Sequence, residues 1–270
     1  MLRTLAELFY RLPSRVQHPL ERQWYEHMSS LDRTADMTFM NYGWASLDPA
    51  AQKLTLRPGD EPNRYCSQLY HRVASAIDLR GLDVLEVGCG RGGGASYVMR
   101  YLAPRSLMGL DLAAKAITFC KQHYAIPGLS FVRGRAEALE LDEGAFDVVV
   151  NVESSHCYTA MGRFLSGVRR VLKPGGHFLF ADLRLKEHVD MLRRQLKDSG
   201  LTLLEEENIN ANVIKALELD DARKHALIER QVPKILRPLF REFAGMEGTR
   251  SCYATLCSGD KVYLRFVLQK

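Results

Sequence analysis

The sequence lacks an uninterrupted apolar run of transmembrane length, a CxxC pair and a block of like charges. The first absence argues against an integral membrane protein. The six cysteines are irregularly spaced, with no histidine at zinc-ligand spacing, which is typical of reduced cytosolic thiols. Because the net charge of +5 is spread along the chain, we expect no nucleic-acid partner.

The N-terminal stretch MLRTLAELFYRL has one apolar side, on which Leu2, Leu5, Phe9 and Leu12 recur at helical spacing. Glu7 interrupts the stretch and no small-residue cleavage site follows it, so we expect no secretory signal and a cytoplasmic location. The apolar side could touch a membrane surface or a hydrophobic substrate, but packing on the domain is the interpretation that we favour. We therefore expect at most peripheral membrane contact.

Short apolar runs alternate with amphipathic stretches of helical length between Leu82 and Asp182. This alternation predicts βαβ units that build a parallel sheet with helices on both faces, an α/β fold. Strands are predicted at residues 83–88, 106–112, 129–134, 146–152 and 177–183, with a late or edge strand at 261–269. Helices are predicted at residues 95–102 and 113–124 and around the apolar positions 164–172.

Two segments lie outside this alternation. Residues 1–80 are rich in helix formers and aromatics, and residues 210–252 have a helical pattern broken at Pro233 and Pro238. Ligands of open α/β sheets bind at the carboxyl edge of the strands, so both segments are predicted to form a helical cap there. The predicted organisation is an N-terminal cap segment 1–80, a core 81–209, a cap insertion 210–252 and C-terminal strands in 253–270.

The strongest local signal is EVGCGRGGG, residues 86–94, where a strand runs into a glycine-dense turn and then a helix. Glycines permit the tight turn and allow a ligand to approach the backbone. Asp111 ends the second strand about twenty residues later, where an acidic side chain can bind ribose hydroxyls. Dinucleotide-binding enzymes share both features, so the loop and Asp111 alone do not choose a cofactor.

Three blocks together make that choice: EVGCGRGGG, FDVVVNV and RVLKPGGHFLFAD occur at the spacing of class I methyltransferases. Residues 60–183 closely resemble methyltransferases of the phthiotriol dimycocerosate type, which methylate a hydroxyl on a long-chain lipid, and related O-methyltransferases of polyketide and sugar natural products. The matching blocks are DEPNRYCSQLYHR, VLEVGCGRGGGASY, FVRGRAEAL, VNVESSHCY and ADLR, with a looser likeness at NIN and REFAGMEGT. The resemblance implies a Rossmann-like fold, S-adenosylmethionine as cofactor and a small-molecule or lipid-like hydroxylated acceptor.

The resemblance also implies which residues form the cofactor pocket. The loop glycines would shape the part that holds methionine and ribose, the residues after the second and third strands would hold ribose and adenine, and an asparagine would lie beneath the methionine. These residues are Glu86, Gly88, Cys89, Gly90, Gly92, Asp111, Leu112, Ala136, Glu137 and Asn151. The family usually has Asp where this chain has Arg135.

His156 follows the fourth predicted strand, which places it at the mouth of the pocket. A neutral imidazole can take a proton from a hydroxyl near pH 7. Related sugar O-methyltransferases have a histidine at the matching position and an aspartate at the match of Asp182. We therefore predict that His156 is the general base and that Asp182 fixes its tautomer and stabilises the imidazolium.

Substrate contacts are predicted at Tyr42, Tyr65, Tyr70 and Glu153. The tyrosines could equally pack within the cap, and Glu153 could belong to the cofactor pocket or support it from behind. Asp182 and Asn151 could instead bind a divalent metal, but no dense carboxylate cluster accompanies them, so we expect no metal. Nothing in the sequence fixes an oligomeric state.

Three other activities share parts of this pattern. Carbon methyltransferases of quinones or sterols have the same core and a KPGG-like turn. A non-catalytic cofactor-binding protein would keep the glycine loop without needing His156. An NAD-dependent oxidoreductase fits GCGRGGG poorly, because the GxGxxG spacing is not cleanly reproduced. O-methylation is the activity that we predict.

Overall fold

The computed structural model describes residues 36–250 and 252–270. The predicted apolar helix face at Leu2, Leu5, Phe9 and Leu12 lies outside the described residues, as does the first part of the segment 1–80. No helix in the described part of the chain combines the length and apolar character needed to cross a membrane.

A seven-stranded sheet forms the centre of the fold, in the order β3-β2-β1-β4-β5-β7-β6. The first five strands pair in parallel, and β7 is antiparallel to both of its neighbours. The strands are β1 Asp83–Val87, β2 Ser106–Asp111, β3 Leu129–Arg133, β4 Phe146–Val152, β5 Leu172–Leu185, β6 Thr202–Asn208 and β7 Lys261–Gln269. The strand order reverses between β1 and β4, so a crevice opens at their carboxyl ends.

Helices cover both faces of the sheet, which confirms the predicted α/β class. One face packs against α1, α2, α3 and parts of α6 and α8, and the other against α4 and α5. The helices are α1 Arg64–Ala74, α2 Gly93–Tyr101, α3 Ala114–His123, α4 Met161–Val171, α5 Val189–Asp198, α6 Asn210–Gln231, α7 Arg237–Phe243 and α8 Tyr253–Ser258.

The valine run of β4 shows why this sheet is apolar on both sides. Val148 and Val150 pack into the first cluster, while Val149 between them packs into the second. Successive residues of a strand point to opposite faces, so a strand covered on both sides needs a continuous apolar run. The predicted fourth strand has the observed bounds for this reason.

Two features of the sheet differ from the prediction. β5 begins at Leu172 rather than at 177, because Leu172 already pairs with Phe146, and the KPGG turn forms an irregularity before His177 pairs with Val148. β6 was not predicted, because its residues TLLEEEN neither alternate nor form an apolar run. In the described part of the chain it is an edge strand that pairs only with β7, and most of its side chains are exposed.

The segments outside the core have two roles: some parts pack on the sheet, and others enclose the crevice. Helix α1 packs on the sheet through Leu69 and Val73, and the first half of α6 joins the same cluster through Val213. The second half of α6 forms a separate small cluster with the chain up to Met246. That small cluster borders the cavities described below.

Candidate functional site

A cavity of about 560 Å³ lies at the carboxyl ends of β1, β2 and β4. This volume is in the range of small-molecule sites. Its wall includes seven of the residues predicted to bind the cofactor, and also Tyr70 and Glu153 from the predicted substrate set. The seven are Gly88, Cys89, Gly90, Asp111, Leu112, Ala136 and Glu137.

The glycine loop is built so that its backbone forms the cavity wall. Gly88 has a φ of +78°, and a Cβ there would lie 2.3 Å from the Ser154 Oγ. Gly92 also has a positive φ, but a Cβ there would meet Cys120 and Phe131, so this residue packs under the loop rather than lining the cavity. Only glycine fits both positions without displacing neighbours.

Asp111 organises the same loop. Its Oδ2 accepts a hydrogen bond from the backbone N–H of Gly90 and its Oδ1 one from that of Ala113, each at 2.8 Å. Burial raises the pKa of Asp111 above its ordinary value, and these backbone bonds oppose the rise. The carboxylate is therefore held in a fixed orientation in the cavity wall.

Glu86 lies behind the loop rather than in the cavity wall. It is buried, and its Oε1 accepts a hydrogen bond from the Tyr70 hydroxyl at 2.6 Å. Its Oε2 is buried and has no hydrogen-bond partner within residues 36–250 and 252–270. Burial raises the pKa of Glu86 to about 7, with the Tyr70 bond opposing and the charge of Asp111 adding to the rise. Tyr70 thus joins the cavity wall to the end of β1.

Asn151 and Tyr65 line neither this cavity nor the second one. The Asn151 side chain is buried and donates to the Val87 carbonyl and to the Ser154 Oγ, both at 2.8 Å. It joins β1 to the loop after β4 beneath the cavity. Tyr65 contacts this region through its backbone, whose carbonyl accepts a hydrogen bond from the Trp44 N–H at 3.0 Å.

His156 and Asp182 meet as predicted from the strand order. His156 lies in a short 3-10 turn, Ser155–Cys157, directly after β4, and its Nδ1 is 2.7 Å from Asp182 Oδ1 on β5. Its backbone N–H donates to Asp182 Oδ2 at 2.9 Å. The Ser155 hydroxyl donates to the same oxygen at 2.7 Å, and Arg184 forms an ion pair with it at 3.1 Å.

These contacts set the charge of the pair. Burial lowers the pKa of His156, but the neighbouring Cys157 and Asp182 outweigh it and hold that pKa well above the ordinary value. Burial opposes ionisation of Asp182, yet His156 and Arg184 hold the pKa of its carboxyl well below its usual range. His156 and Asp182 each favour the charged form of the other, which strengthens the contact between the two side chains.

His156 lines a second, smaller cavity of about 150 Å³. The two cavities share five wall residues, namely Phe39, Met40, Asn41, Arg91 and Glu153. Helices α6 and α7 supply apolar side chains to the second cavity, including those of Leu227, Ile228, Phe240 and Phe243. Tyr42 also lines it. The second cavity therefore places an imidazole beside an apolar wall, next to the larger cavity.

Glu153 stands between the two cavities. It follows β4 with a φ of +50°, a conformation that costs a non-glycine residue free energy and is common at functional sites. Its Oε2 accepts hydrogen bonds from the backbone N–H of Tyr42 at 2.9 Å and from the Tyr263 hydroxyl at 3.0 Å. Burial raises the pKa of Glu153 to about 7, and the Tyr42 bond opposes the rise.

Sequence reasoning missed Asn41, Arg91, Lys224 and Tyr263, all of which lie in or against these cavities. Arg91 is buried with its guanidinium 3.7 Å from the centre of the Phe119 ring. It stands inside the glycine loop, which could have drawn attention to it. The other three had no signal, because each comes to the site from a distant part of the chain.

Among the described residues, no group of three or more His, Cys, Asp or Glu side chains is placed to hold a metal ion. The oxygens of Asp182, which could have been metal ligands, are occupied by His156, Ser155 and Arg184.

Comparison with known proteins agrees with this geometry. Residues 85–180 match the family described as a methyltransferase domain. A phthiotriol/phenolphthiotriol dimycocerosates methyltransferase of Mycobacterium tuberculosis is 44% identical over 229 residues, which cover 85% of this chain and 84% of that protein. The chain belongs to this methyltransferase family.

Two further similarities place this methyltransferase among its relatives. A fatty-acid O-methyltransferase of Mycolicibacterium smegmatis is 38% identical over 234 residues, covering 87% of this chain and 85% of that protein. The solved structure of the cyclopropane synthase MmaA2 from Mycobacterium tuberculosis has a TM-score of 0.68 at 16% identity, over 90% of this chain and 95% of that one. At this identity the last similarity shows the fold alone.

The methyltransferase uses S-adenosylmethionine, which confirms the predicted cofactor. The larger cavity fits S-adenosylmethionine for two reasons. Gly88 and Gly90 have no side chains, so the cofactor can come close to the backbone of the loop, and the carboxylate of Asp111 lies in the cavity wall. Leu112 and Ala136 give the same cavity an apolar part suited to an adenine ring.

Proposed function

We propose that this protein is an O-methyltransferase that acts on a hydroxyl of a small-molecule, lipid-like or polyketide-type natural product, with His156 as general base. The observation that carries the proposal is the placement of His156. It is held by Asp182 and lines a partly apolar cavity that adjoins the larger one. A base and a hydrophobic acceptor can meet there.

The larger cavity is the site that we assign to the cofactor. Gly88, Cys89 and Gly90 would hold the methionine and ribose part, Asp111 the ribose hydroxyls, and the apolar residues the adenine. Glu86, Gly92 and Asn151 would support this wall from behind, as their hydrogen bonds and packing indicate. When bound, S-adenosylmethionine supplies a methyl group on a positively charged sulfur.

The proton of the acceptor hydroxyl goes to His156. Asp182 is hydrogen-bonded to Nδ1 of the ring, so Nε2 is the nitrogen that accepts the proton. The carboxylate stabilises the imidazolium that results, as its effect on the resting pKa of His156 indicates. An imidazole must be unprotonated to act as a base, so the raised pKa of His156 favours activity at higher pH.

The acceptor pocket that we assign is the second cavity, closed by the segments around residues 36–63 and 223–244. This supports the proposed cap of residues 1–80 and 210–252 over the core 81–209. Tyr42 and Glu153 line the pocket, while Tyr70 contacts the cofactor side. The apolar wall supports a lipid-like acceptor, and the names of the mycobacterial relatives point to long-chain lipids and fatty acids.

A calorimetric titration with S-adenosylhomocysteine tests the cofactor site. We expect the wild type to bind at micromolar concentration and the Asp111→Ala variant to bind about tenfold or more weakly, since it loses a buried charge-assisted contact. Asp142→Ala, an exposed position, is the control and should bind like the wild type. No binding by folded wild type would overturn the proposal.

Two alternatives are separated by the product. Carbon methylation would give a product with the methyl group on carbon, which mass spectrometry and NMR distinguish from a methyl ether. A non-catalytic cofactor-binding protein would bind S-adenosylhomocysteine but give no turnover with hydroxylated lipids or polyketides. O-methylation requires turnover that the His156→Ala variant loses while it still binds S-adenosylhomocysteine.

A further inference from the structure

The second cavity contains a cationic side chain that the proposed mechanism does not use. Lys224, on α6, lines this cavity and is only 7% exposed. Its Nζ donates a hydrogen bond to the backbone oxygen of Ala244 at 3.1 Å. An ammonium group has three N–H donors, so two of them find no acceptor among the residues that the structure describes.

The neighbouring carboxylates do not neutralise Lys224. Asp220, one turn earlier on α6, accepts hydrogen bonds from Arg223 on both oxygens, at 2.6 and 2.5 Å. Glu153 lines the same cavity, but no carboxylate in the described part of the chain lies within ion-pair distance of Lys224 Nζ. Burial accordingly lowers the pKa of Lys224, against the charge of Asp220, which raises it. A buried cation with so few partners is costly unless a ligand completes its surroundings.

Asn41 is a second buried side chain with an unused hydrogen-bond donor in this cavity. Its side chain is 8% exposed and lines both cavities. Its Oδ1 accepts a hydrogen bond from the Gly43 N–H at 2.9 Å, which leaves Nδ2 as the free end. Nδ2 is buried and has no hydrogen-bond partner among the described residues. Lys224 and Asn41 therefore both have unused N–H donors, and a ligand group that only accepts hydrogen bonds could bind to both.

We propose that Lys224 and Asn41 form an oxyanion subsite that binds a carboxylate of the methyl acceptor. A carboxylate is small and accepts hydrogen bonds without donating any. The apolar side chains of Leu227 and Phe240 in the same cavity suit the alkyl chain attached to it. The inference rests on the proposed function, because it takes the second cavity as the acceptor pocket, and it narrows the acceptor to lipid-like acids.

Titration with octanoate and 1-octanol, in protein saturated with S-adenosylhomocysteine, tests the subsite. We expect the wild type to bind octanoate more tightly than octanol. Lys224→Met should weaken octanoate binding about tenfold or more, because it removes hydrogen bonds to a charged group, and should leave octanol binding unchanged. Lys215→Met is the matched control, because Lys215 lies on the same helix with its side chain 47% exposed.

Failure of the inference and failure of the proposed function give different results. Equal octanoate affinities in wild type and Lys224→Met, with normal S-adenosylhomocysteine binding, would overturn the subsite alone. Loss of S-adenosylhomocysteine binding in the wild type would instead overturn the proposed function. A lysine-to-methionine change removes a buried charge, so we expect the variant to fold, and its thermal unfolding checks this.

The carboxylate could be the methylated group itself or could lie beside a methylated hydroxyl. Turnover with octanoate and with 3-hydroxyoctanoate separates these sources: octanoate can give only a methyl ester, whereas 3-hydroxyoctanoate gives an ester if the carboxylate is methylated and a methyl ether if the hydroxyl is. Either product formed by the wild type and reduced in Lys224→Met supports the subsite. Product formation that is unaffected by Lys224→Met contradicts it.

Discussion

His156 contacts both oxygens of the Asp182 carboxylate. Its ring Nδ1 lies 2.7 Å from Oδ1, and its backbone N–H donates to Oδ2 at 2.9 Å. Two bonds from one residue fix the position of the main chain as well as the tautomer and direction of the ring. The Leu183 N–H also donates to Oδ1, at 2.8 Å, so the carboxylate is itself held by β5. The pair is therefore preorganised for proton transfer at one ring nitrogen.

The Asp182→Asn change tests this arrangement. An amide cannot stabilise the imidazolium as a carboxylate does, and it can select the wrong tautomer, so we expect kcat to fall by about a hundredfold or more. Steady-state kinetics with a hydroxylated acceptor measure the effect. Affinity for S-adenosylhomocysteine should stay at the wild-type value, because Asp182 does not line the larger cavity. A kcat within threefold of the wild type would contradict the role of Asp182, since general acid–base catalysis contributes about a hundredfold or more to the rate.

The pH dependence of the reaction gives a second prediction. A base must be unprotonated to act, and the pKa of His156 is held above its ordinary 6.5. We therefore expect kcat/KM with a hydroxylated acceptor to rise with pH, with the midpoint of the rise above 6.5. In Asp182→Asn the residual activity should have its midpoint at lower pH, because the stabilising negative charge is gone. A wild-type rise centred below that of the variant would contradict this assignment.

The site was predictable where it depends on strand order. His156 follows β4 and Asp182 lies in β5, and the two strands pair with Val152 opposite Ala181. Two side chains at the ends of adjacent parallel strands must lie close together, which is why the sequence placed them correctly. The same logic placed Gly88 and Asp111 in one cavity wall.

The rest of the site was not predictable because it depends on contacts between distant segments. Glu86 accepts its hydrogen bond from Tyr70, which lies on a helix that precedes the sheet. Lys224 reaches the second cavity from a helix whose apolar pattern shows no clear face. The direction of the pKa shift of His156 could not be read from the sequence either, because burial of the ring opposes the effects of Cys157 and Asp182.

The close packing of Tyr70 against α2 leads to a prediction about stability. A Cβ at Gly94 would lie 1.9 Å from Tyr70 Cζ, so Gly94→Ala must displace the ring that holds Glu86. We expect a loss of about 1–3 kcal/mol in the free energy of unfolding, as for overpacked cores, together with weaker S-adenosylhomocysteine binding. Denaturant unfolding and calorimetry measure the two effects.

Gly162→Ala is the matched control for this change. Gly162 also lies in a helix, but nothing stands within 4 Å of the position of its Cβ. Alanine should leave stability unchanged or raise it by up to about 1 kcal/mol, because it favours the helix more than glycine does. If both variants unfolded alike, the contact with Tyr70 would not be the cause.

Glu86 predicts a dependence of stability on pH. Burial raises its pKa from 4.5 to about 7 in the folded protein, so between these values the native state holds a proton that the unfolded state has released. Folding then weakens as pH rises through this window, by about 1.4 kcal/mol per pH unit for one fully shifted group. Glu86→Gln removes this contribution, since glutamine stays neutral while it keeps an acceptor for the Tyr70 hydroxyl.

Urea unfolding of wild type and Glu86→Gln at a series of pH values from 5 to 8 measures the difference. The wild type should lose stability relative to the variant as pH rises towards 7, and the gap should then stay constant, because Glu86 is ionised in both states. Glu153, whose pKa is also raised to about 7, is present in both proteins, so its contribution cancels in the comparison. Glu140→Gln, at an exposed position, should run parallel to the wild type. Parallel curves for Glu86→Gln as well would show that the buried carboxyl is ionised at every pH measured.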